Sequence, residues 1–472
     1  MSFRNSPPRS PSQALVLPTQ LVRGPRSGLL SCLFLAGAVG CSPGSEALRA
    51  PDLIILISLD TLRADYLGAY GYADHPTSPF LDAFANDNIL FENSIIVEPR
   101  TLTSHMSLMT GLYPHHHQVQ DKTVLADEIP TLASVLSEQG YRTQAFTDGG
   151  YMNKRWGFDR GFDGYSVQDH VGFQRILPRA MSWLANQGGE RVFLFLHTYD
   201  VHNEGWLPEY RSPPPYSGMF SRDNESKLNT DSGRGFGLEF RSKQGELSDL
   251  DEGYIRATYA KGVRLVDDEL RNFFAFLERE GLYDGALIIV WSDHGEGLYD
   301  HAGWSHGEVF EHTIHVPLIM KIPGFEGEGI RIRSVVSAID LAPTILEIAR
   351  APIPPALDGH SLLPLLEDDP REGEAFSVRT KDGLRLFSIR TARYHYIRDE
   401  RAGENLFFDL EADPKETMNL SPSETPEERH LAEQITRRIH EHDNAWSQGR
   451  AVPGQPLDPD LKEELKALGY LN

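Results

Sequence analysis

A run of apolar residues, Leu53–Leu59, constrains the fold of this chain more than any other feature. The run reads Leu-Ile-Ile-Leu-Ile-Ser-Leu and ends at Asp60. Its length, its β-branched residues and its lack of polar alternation are typical of a strand buried on both faces of a parallel sheet. Further strands of this kind are predicted at Thr143–Phe146, Val192–Leu196, Leu287–Trp291 and Val316–Ile322.

Segments with helical periodicity lie between these strands. Apolar residues recur at helical spacing in Thr131–Gln139, Phe173–Gln187 and Leu250–Glu280. Strands that alternate with helices predict an α/β fold with a doubly wound, mostly parallel sheet flanked by helices.

Polar residues stand at the ends of several predicted strands. Asp60, His197, Asp293 and His294 all occupy such positions. In doubly wound sheets, ligands bind outside the carboxyl ends of the strands. Any one of these residues alone is more often a loop or capping group, but together they predict a site at this edge.

A stretch rich in hydroxyl groups, 101–111, reads Thr-Leu-Thr-Ser-His-Met-Ser-Leu-Met-Thr-Gly. Its second half has the character of a short packed helix. A hydroxyl ahead of a helix suits attack on an electrophile, because the helix N-terminus favours a negative oxygen. Such hydroxyls more often serve only as helix caps, and the stretch by itself favours that interpretation.

The length and charge of the chain bound its organisation and its partners. Its 472 residues favour a large catalytic domain, 51–370, and a smaller domain, 371–472. A formal charge of −23 argues against a nucleic-acid partner and requires local cations to attract any anionic substrate. The polar segment 203–250 is interpreted as a surface insertion, either a lid over the site or an excursion without function.

The first 50 residues have the character of an export signal. Arginines precede an apolar run, Leu29–Val39, that is too short for a membrane span. Cys41 follows Ala-Val-Gly, which resembles a bacterial lipobox, and a tether-like stretch comes next. We expect an exported protein anchored to the membrane by a lipid on Cys41; a plain secretory signal and an uncleaved anchor are the alternatives. The body of the chain has no cysteine, which excludes disulfides and thiolate metal sites there.

The C-terminal part has a different pattern, with short alternating strands from Ala375. Asp382-Gly383 is a hairpin turn signal. Thr425-Pro426-Glu427-Glu428 predicts the start of a helix, and a closing helix is expected at Leu465–Leu471. This part is predicted to form a small α+β subdomain.

Three motifs together resemble the sulfatase family of the alkaline phosphatase superfamily: Asp60-Thr61-Leu62-Arg63-Ala64-Asp65, the 101–111 stretch, and Ser292-Asp293-His294-Gly295-Glu296. The resemblance implies that family's fold and an ester hydrolase activity. It places Thr101 where the family has the Cys or Ser that matures to formylglycine, and Thr103 and His105 at the family's Pro and Arg positions. Threonine cannot become formylglycine, so Thr101 resembles instead the nucleophile of the phosphodiesterase and phosphotransferase branches.

The resemblance also implies a metal site formed by Asp60, Thr101, Asp293 and His294. Thr61 stands where the family usually has a second Asp. The donor set suits one divalent ion, and Ca, Mg, Mn and Zn all remain open. Thr198 occupies the position where a second metal would need an Asp, so no complete second site is expected.

The remaining site residues are expected to contact the substrate or the reacting groups. His202 and His306 stand at family substrate-contacting positions and would stabilise the transferred group or protonate the leaving oxygen. His105 would contact the nucleophile or the oxyanion. Lys154 would supply a local positive charge.

Three functions remain open at the level of sequence. The leading hypothesis is a metal-dependent hydrolase of sulfate or phosphate esters, acting on a small-molecule, glycan or lipid ester. The second is a phosphotransferase that acts on envelope lipids or glycans through the same Thr101 intermediate. The third is a catalytically silent binding protein, against which the retained candidate nucleophile and metal ligands argue.

Overall fold

A computed structural model of the protein describes residues 49–168, 170–203, 213–220, 248–301, 304–380, 383–449 and 451–467. The strands, numbered in chain order, are β1 Leu53–Leu59, β2 Ile89–Ile95, β3 Thr123–Val124, β4 Arg142–Thr147, β5 Gly164–Val167, β6 Val192–Thr198, β7 Ala286–Trp291, β8 Gly297–Leu298, β9 Trp304–Ser305, β10 His315–Val316, β11 Leu318–Lys321, β12 Arg331–Ser337, β13 Glu374–Arg379, β14 Leu386–Thr391, β15 Tyr394–Asp399, β16 Glu404–Asp409 and β17 Val452–Pro453. The α-helices are α1 Pro79–Asp87, α2 Thr101–Thr110, α3 Pro114–His117, α4 Leu132–Glu138, α5 Phe173–Leu184, α6 Asp249–Arg279, α7 Glu311–Ile314, α8 Leu341–Ile348, α9 Pro364–Glu367, α10 Pro426–Gln448 and α11 Pro459–Ala467.

The main sheet has the strand order β10-β2-β11-β7-β1-β6-β4-β5, and β12 also pairs with β2. β1 lies at its centre between β6 and β7, parallel to both. Alternate residues of β1 pack into different cores: Ile54 and Leu56 on one face, Ile55 and Ile57 on the other. The mostly parallel sheet covered on both faces confirms the predicted fold class.

One strand prediction was wrong in detail. The expected strand Val316–Ile322 is two short strands, β10 and β11, interrupted at Pro317. Proline has no N–H to donate to a neighbouring strand, which accounts for the break. Both pieces run antiparallel to β2, and β11 also runs antiparallel to β7.

The predicted helices are present, with small shifts at their ends. Thr131 caps α4, accepting a hydrogen bond from the backbone of Ser134. α5 ends at Leu184, before the predicted end at Gln187. α6 is 31 residues long and begins behind Ser248, which caps it.

The C-terminal part forms a second sheet, β13-β14-β15-β16, whose neighbours are all antiparallel. α10 packs on this sheet through Leu431, Ile435 and Ile439. Two hydrogen bonds join β13 to the two residues that follow β2: the backbone N–H of Val378 donates to Val97 O at 2.8 Å, and Ser377 Oγ donates to Ile96 O at 2.5 Å. The first strand of the small sheet therefore lies beside the segment that leads into α2.

Some sequence predictions fall outside the described residues. Cys41 and its leader lie there, as does most of the 203–250 insertion. The expected closing helix is described only as α11, which begins at Pro459. Over the part of the chain that the structure describes, no helix combines the length and apolar character needed to cross a membrane.

Candidate active site

Asp60, Asp293 and His294 meet at the carboxyl edge of the main sheet. Because β1 and β7 are parallel neighbours, the residues that follow them emerge side by side. One ligand atom from each of the three side chains lies within 4.8 Å of the others, and all three side chains are fully buried. Asp293 Oδ1 is held by the backbone N–H of Thr61 at 3.2 Å and of His294 at 2.9 Å.

Thr101 joins this cluster from the start of α2. Its Oγ1 lies 3.4 Å from His294 Nε2, and its hydroxyl is near enough to Asp60 to oppose part of the rise in the pKa of that carboxyl. The expectation that the hydroxyl of Thr101 lies ahead of the helix was wrong, because Thr101 is the first residue of α2 and is fully buried. The N-cap is Arg100, so the capping interpretation does not hold, and the hydroxyl faces the acidic cluster.

The cluster fits a divalent cation. Asp60 Oδ1 and Asp293 Oδ2 are buried, and neither has a hydrogen-bond partner among the described residues. Burial raises the pKa of Asp60 well above its ordinary value. Burial and then the charge of Asp60 do the same to the pKa of Asp293. Two buried carboxylates with unsatisfied oxygens, an imidazole and a hydroxyl form a donor set that a cation would complete.

His105 lies one helical turn after Thr101 in α2 and contacts residues of the cluster. Its Nδ1 is 2.8 Å from Thr101 O and 3.5 Å from Asp293 Oδ2, and its Nε2 is 2.8 Å from Ser58 Oγ. Burial holds the pKa of His105 well below its usual range, so the ring is neutral. The described contact between His105 and Thr101 is at the backbone carbonyl of Thr101, which fixes the start of α2.

His197 is a site residue that the sequence analysis placed at the sheet edge without giving it a role. It lies in β6, and its Nε2 is 3.2 Å from Asp60 Oδ2. Burial lowers the pKa of His197 to about 3, so the neutral ring orients the carboxylate through this contact. Its position near the end of an apolar strand, beside the strand that carries Asp60, was the available signal.

His202 and His306 face each other beside the cluster. Their ring centroids are 5.3 Å apart, and the rings of His306 and His294 are 4.3 Å apart. His202 Nδ1 lies 2.6 Å from Asn203 O, so Nδ1 carries the proton. His306 Nδ1 lies 3.4 Å from Glu296 Oε1. Burial raises the pKa of Glu296 to about 8, so a largely protonated carboxyl faces His306 at neutral pH.

Thr61 has a strained backbone at the centre of the site. Its φ is 59°, a left-handed conformation that a β-branched residue rarely adopts. The Tyr259 hydroxyl donates to Thr61 O at 2.7 Å, and the Thr61 hydroxyl donates to Asp60 O at 2.7 Å. The Thr61 side chain therefore binds the backbone carbonyl of the preceding residue, and the carboxylates of the cluster come from Asp60 and Asp293.

Arg63 ties together the two loops that carry the carboxylates. Its guanidinium donates to Asp65 at 2.7 Å, to Asp300 at 2.6 Å and to Glu296 O at 3.0 Å. Lys154 is different. It lies exposed on the short 3-10 helix Lys154–Trp156, and its expected role in substrate binding stays a prediction.

The fold and the site together define a class, an ester hydrolase on an alkaline phosphatase-like α/β scaffold. The chain belongs to the sulfatase family: the family model "Sulfatase" matches residues 52–351, more than half of the chain. A second model, "N-sulphoglucosamine sulphohydrolase, C-terminal", matches residues 300–445.

The similar proteins include a multifunctional alkaline phosphatase superfamily protein, a sulfatase and a phosphonate monoester hydrolase. The multifunctional alkaline phosphatase superfamily protein PehA of Trinickia caryophylli is 27% identical, with 78% of this chain and 91% of the relative covered. An N-acetylglucosamine-6-O-sulfatase of Bacteroides thetaiotaomicron is 21% identical, with 84% and 87% covered. The crystal structure of a phosphonate monoester hydrolase of Agrobacterium radiobacter superposes with a TM-score of 0.69 at 22% identity, over 83% of this chain and 96% of that one. These likenesses support the fold.

Proposed function

We propose that this protein is a metal-dependent hydrolase that uses Thr101 as its nucleophile and turns over phosphate esters faster than sulfate esters. The observation that carries the proposal is the placement of the buried Thr101 hydroxyl against Asp60 and His294. That hydroxyl also lies at the N-terminus of α2, where the helix dipole favours negative charge.

The residues of the site divide the work of the reaction. Asp60, Asp293, His294 and the Thr101 hydroxyl would hold one divalent cation. Such a cation lowers the pKa of a bound hydroxyl and neutralises a non-bridging ester oxygen. His197 orients Asp60, while His105 fixes the first turn of α2.

Bond changes follow from this arrangement. Thr101 Oγ loses its proton and forms a bond to phosphorus, while the bond from phosphorus to the leaving oxygen breaks in line. The neutral ring of His202 or His306 takes up this proton and delivers it to the leaving oxygen; the two rings stand together beside the cluster. Water then attacks phosphorus, releases phosphate and returns the Thr101 hydroxyl.

The preference for phosphate follows from the chemistry of threonine. A formylglycine hydrate has a second hydroxyl that lets its sulfated form collapse without attack at sulfur, whereas threonine has only one. A phosphorylated threonine is cleared by in-line attack of water or an alcohol. The names of two similar proteins, a multifunctional alkaline phosphatase superfamily protein and a phosphonate monoester hydrolase, support a phosphorus ester as substrate.

The substrate class and the metal are proposed more broadly. Relatives include a sulfatase of N-acetylglucosamine, which supports a glycan ester alongside small-molecule or lipid esters. The oxygen-rich donor set with one imidazole suits Mn or Zn as well as Ca or Mg.

One experiment separates hydrolysis, transfer and silent binding. The full chain is chelated, reloaded with Ca, Mg, Mn or Zn, and assayed on p-nitrophenyl phosphate and bis-p-nitrophenyl phosphate with and without glycerol. Metal-dependent release of p-nitrophenol supports the hydrolase when it is matched by inorganic phosphate from the monoester or by p-nitrophenyl phosphate from the diester. Formation of glycerol phosphate in place of phosphate indicates a transferase. No turnover with any metal, in a folded protein that still binds metal, indicates a binding protein.

We also propose that the protein is exported and lipid-anchored at Cys41, on the strength of the lipobox-like leader. Cells that express the full chain would incorporate labelled fatty acid into it, and a Cys41→Ala variant would not. A Cys41→Ala variant that still labels and still fractionates with membranes would contradict the proposal.

A further inference from the structure

Arg379 is a cation of the C-terminal sheet that the strand pairing brings to the active site. It is the last residue of β13 and is 8% exposed. The hydrogen bond from Val378 N to Val97 O sets β13 beside the segment that continues through Arg100 into α2. The small sheet therefore delivers a buried guanidinium close to the start of the nucleophile helix.

The guanidinium packs against the loop that carries His306. A Cβ atom added to Gly307 would lie 3.6 Å from Arg379 Nε and 3.7 Å from Nη2, so the guanidinium is in contact distance of that glycine. Gly307 directly follows His306, which stands beside His294 and His202. Burial and then the charges of Arg379 and Arg100 lower the pKa of His306 to about 3, which agrees with this proximity.

Glu98 forms a buried ion pair with Arg379. Its Oε1 lies 3.7 Å from Arg379 Nη1, and its side chain is 1% exposed. Arg100, the N-cap of α2, lies close enough for Glu98 to raise its pKa, after the effects of burial and Asp121. A buried carboxylate near two arginines partly neutralises their charge.

We propose that Arg379 is the substrate-binding cation of this acidic protein, and that its guanidinium binds non-bridging oxygens of the phosphoryl group beside His306. The inference deepens the proposed function and rests on it. Arginine suits this role because its planar fork matches two phosphate oxygens and keeps its charge when buried. A dianionic phosphate monoester presents more charge to this fork than a monoanionic diester or sulfate ester, so Arg379 favours the monoester.

Variants of Arg379 and of Glu98 should change the affinity for phosphate in opposite directions, and this difference tests the proposal. If Arg379 binds the anion, removing its charge weakens phosphate binding. Replacing Glu98 by the neutral Gln leaves more positive charge at the same place and strengthens phosphate binding. If the pair only stabilises the junction of the two sheets, both changes act in the same direction.

The experiment is calorimetric titration of the metal-loaded full chain with inorganic phosphate. We expect Arg379→Gln to weaken phosphate binding by roughly tenfold or more and Arg379→Lys to weaken it less. Glu98→Gln should bind phosphate more tightly than the unmodified protein. Arg385→Gln is the matched control. Arg385 precedes β14 of the same sheet and pairs with Glu400 and Asp443 at the surface, so this variant should bind phosphate with unchanged affinity. Melting temperatures show whether each variant is folded. If Arg379→Gln does not fold, Arg379→Lys takes its place in the test.

Three results would overturn the inference. They are unchanged phosphate affinity in Arg379→Gln, weaker binding in both Arg379→Gln and Glu98→Gln, and no phosphate binding by the unmodified metal-loaded chain. Because binding is measured without turnover, the inference and the proposed function fail separately. A chain that binds phosphate through Arg379 but hydrolyses no ester would contradict only the proposed function.

Discussion

At the scale of single residues, Thr101 is a buried side chain whose removal should affect activity far more than stability. The side chain is fully buried, yet its hydroxyl is directed at His294 and Asp60. Thr101→Ala should lower the free energy of unfolding by only about 1 kcal/mol, the usual effect of one lost hydrogen bond. It should lower kcat/KM on the phosphate ester by about 10³-fold or more, because no other group replaces the nucleophile.

Thr101→Ser is the matched control for that prediction. It keeps the hydroxyl and should retain measurable turnover with the same metal dependence. Steady-state kinetics and chemical denaturation of the two variants provide the check. Full activity in Thr101→Ala would show that the nucleophile lies elsewhere.

His197 tests the site through its metal. Its contact with Asp60 Oδ2 at 3.2 Å orients this carboxylate, which is a proposed ligand of the metal. His197→Ala should weaken divalent metal binding by roughly 10–100-fold, the usual effect of losing a group that orients a ligand. Titration of the chelated protein with Mn or Zn gives the affinity. His116→Ala, which removes a partly exposed histidine of α3, is the control and should leave this site unchanged. Equal affinities in both variants would contradict the orienting role.

At the scale of elements, Asp267 links α6 to the start of α1 and gives the stability a pH dependence. The backbone N–H groups of Phe80 and Leu81 donate to its carboxylate at 3.0 and 2.8 Å. Burial raises the pKa of Asp267 from 3.8 to about 7. The folded protein thus holds this proton more tightly than the unfolded chain, so the stabilising contribution is present below pH about 4 and is lost as the pH rises to about 7.

Asp267→Asn removes the ionisable group, so the loss of folding stability with rising pH should become smaller. Relative to the unmodified protein, the variant should gain stability as the pH rises from about 4 to 7, by at most about 1.4 kcal/mol per pH unit. Urea denaturation at a series of pH values measures this. Asp87→Asn, at an exposed position of α1, is the control and should follow the unmodified protein. An Asp267→Asn profile parallel to the unmodified one would contradict the prediction.

The elements also show how far sequence patterns reach. The continuous apolar run of β1 and the periodicity of α6 were sufficient to predict both, because burial on defined faces leaves a clear pattern. β2 was missed because Glu92 and Asn93 interrupt its apolar residues at positions that are only half buried. β11 runs antiparallel to its neighbours, a direction set by strand pairing that its own residues do not encode.

At the scale of the whole molecule, the site draws on segments that are distant in the chain. Asp60, Asp293 and His294 could be predicted because each follows an apolar strand in a family-like motif. Arg379 could not, since a single arginine in an alternating strand has no distinctive pattern. Its place depends on the hydrogen bond from Val378 of β13 to Val97, just after β2, which is a tertiary contact. The exposure of Lys154 and the burial of Arg379 also depend on packing, which no local motif reports.

The central claim is that a threonine nucleophile on a sulfatase fold favours phosphorus over sulfur. The most direct measurement compares kcat/KM on p-nitrophenyl phosphate and on p-nitrophenyl sulfate, using the full chain loaded with its best metal. The two substrates share a leaving group, so the ratio reports the transferred group alone. We predict that the phosphate ester is preferred by about tenfold or more, a difference of roughly 1.4 kcal/mol in transition-state stabilisation. A preference for the sulfate ester would contradict the account and show that Thr101 supports the usual sulfatase reaction without formylglycine.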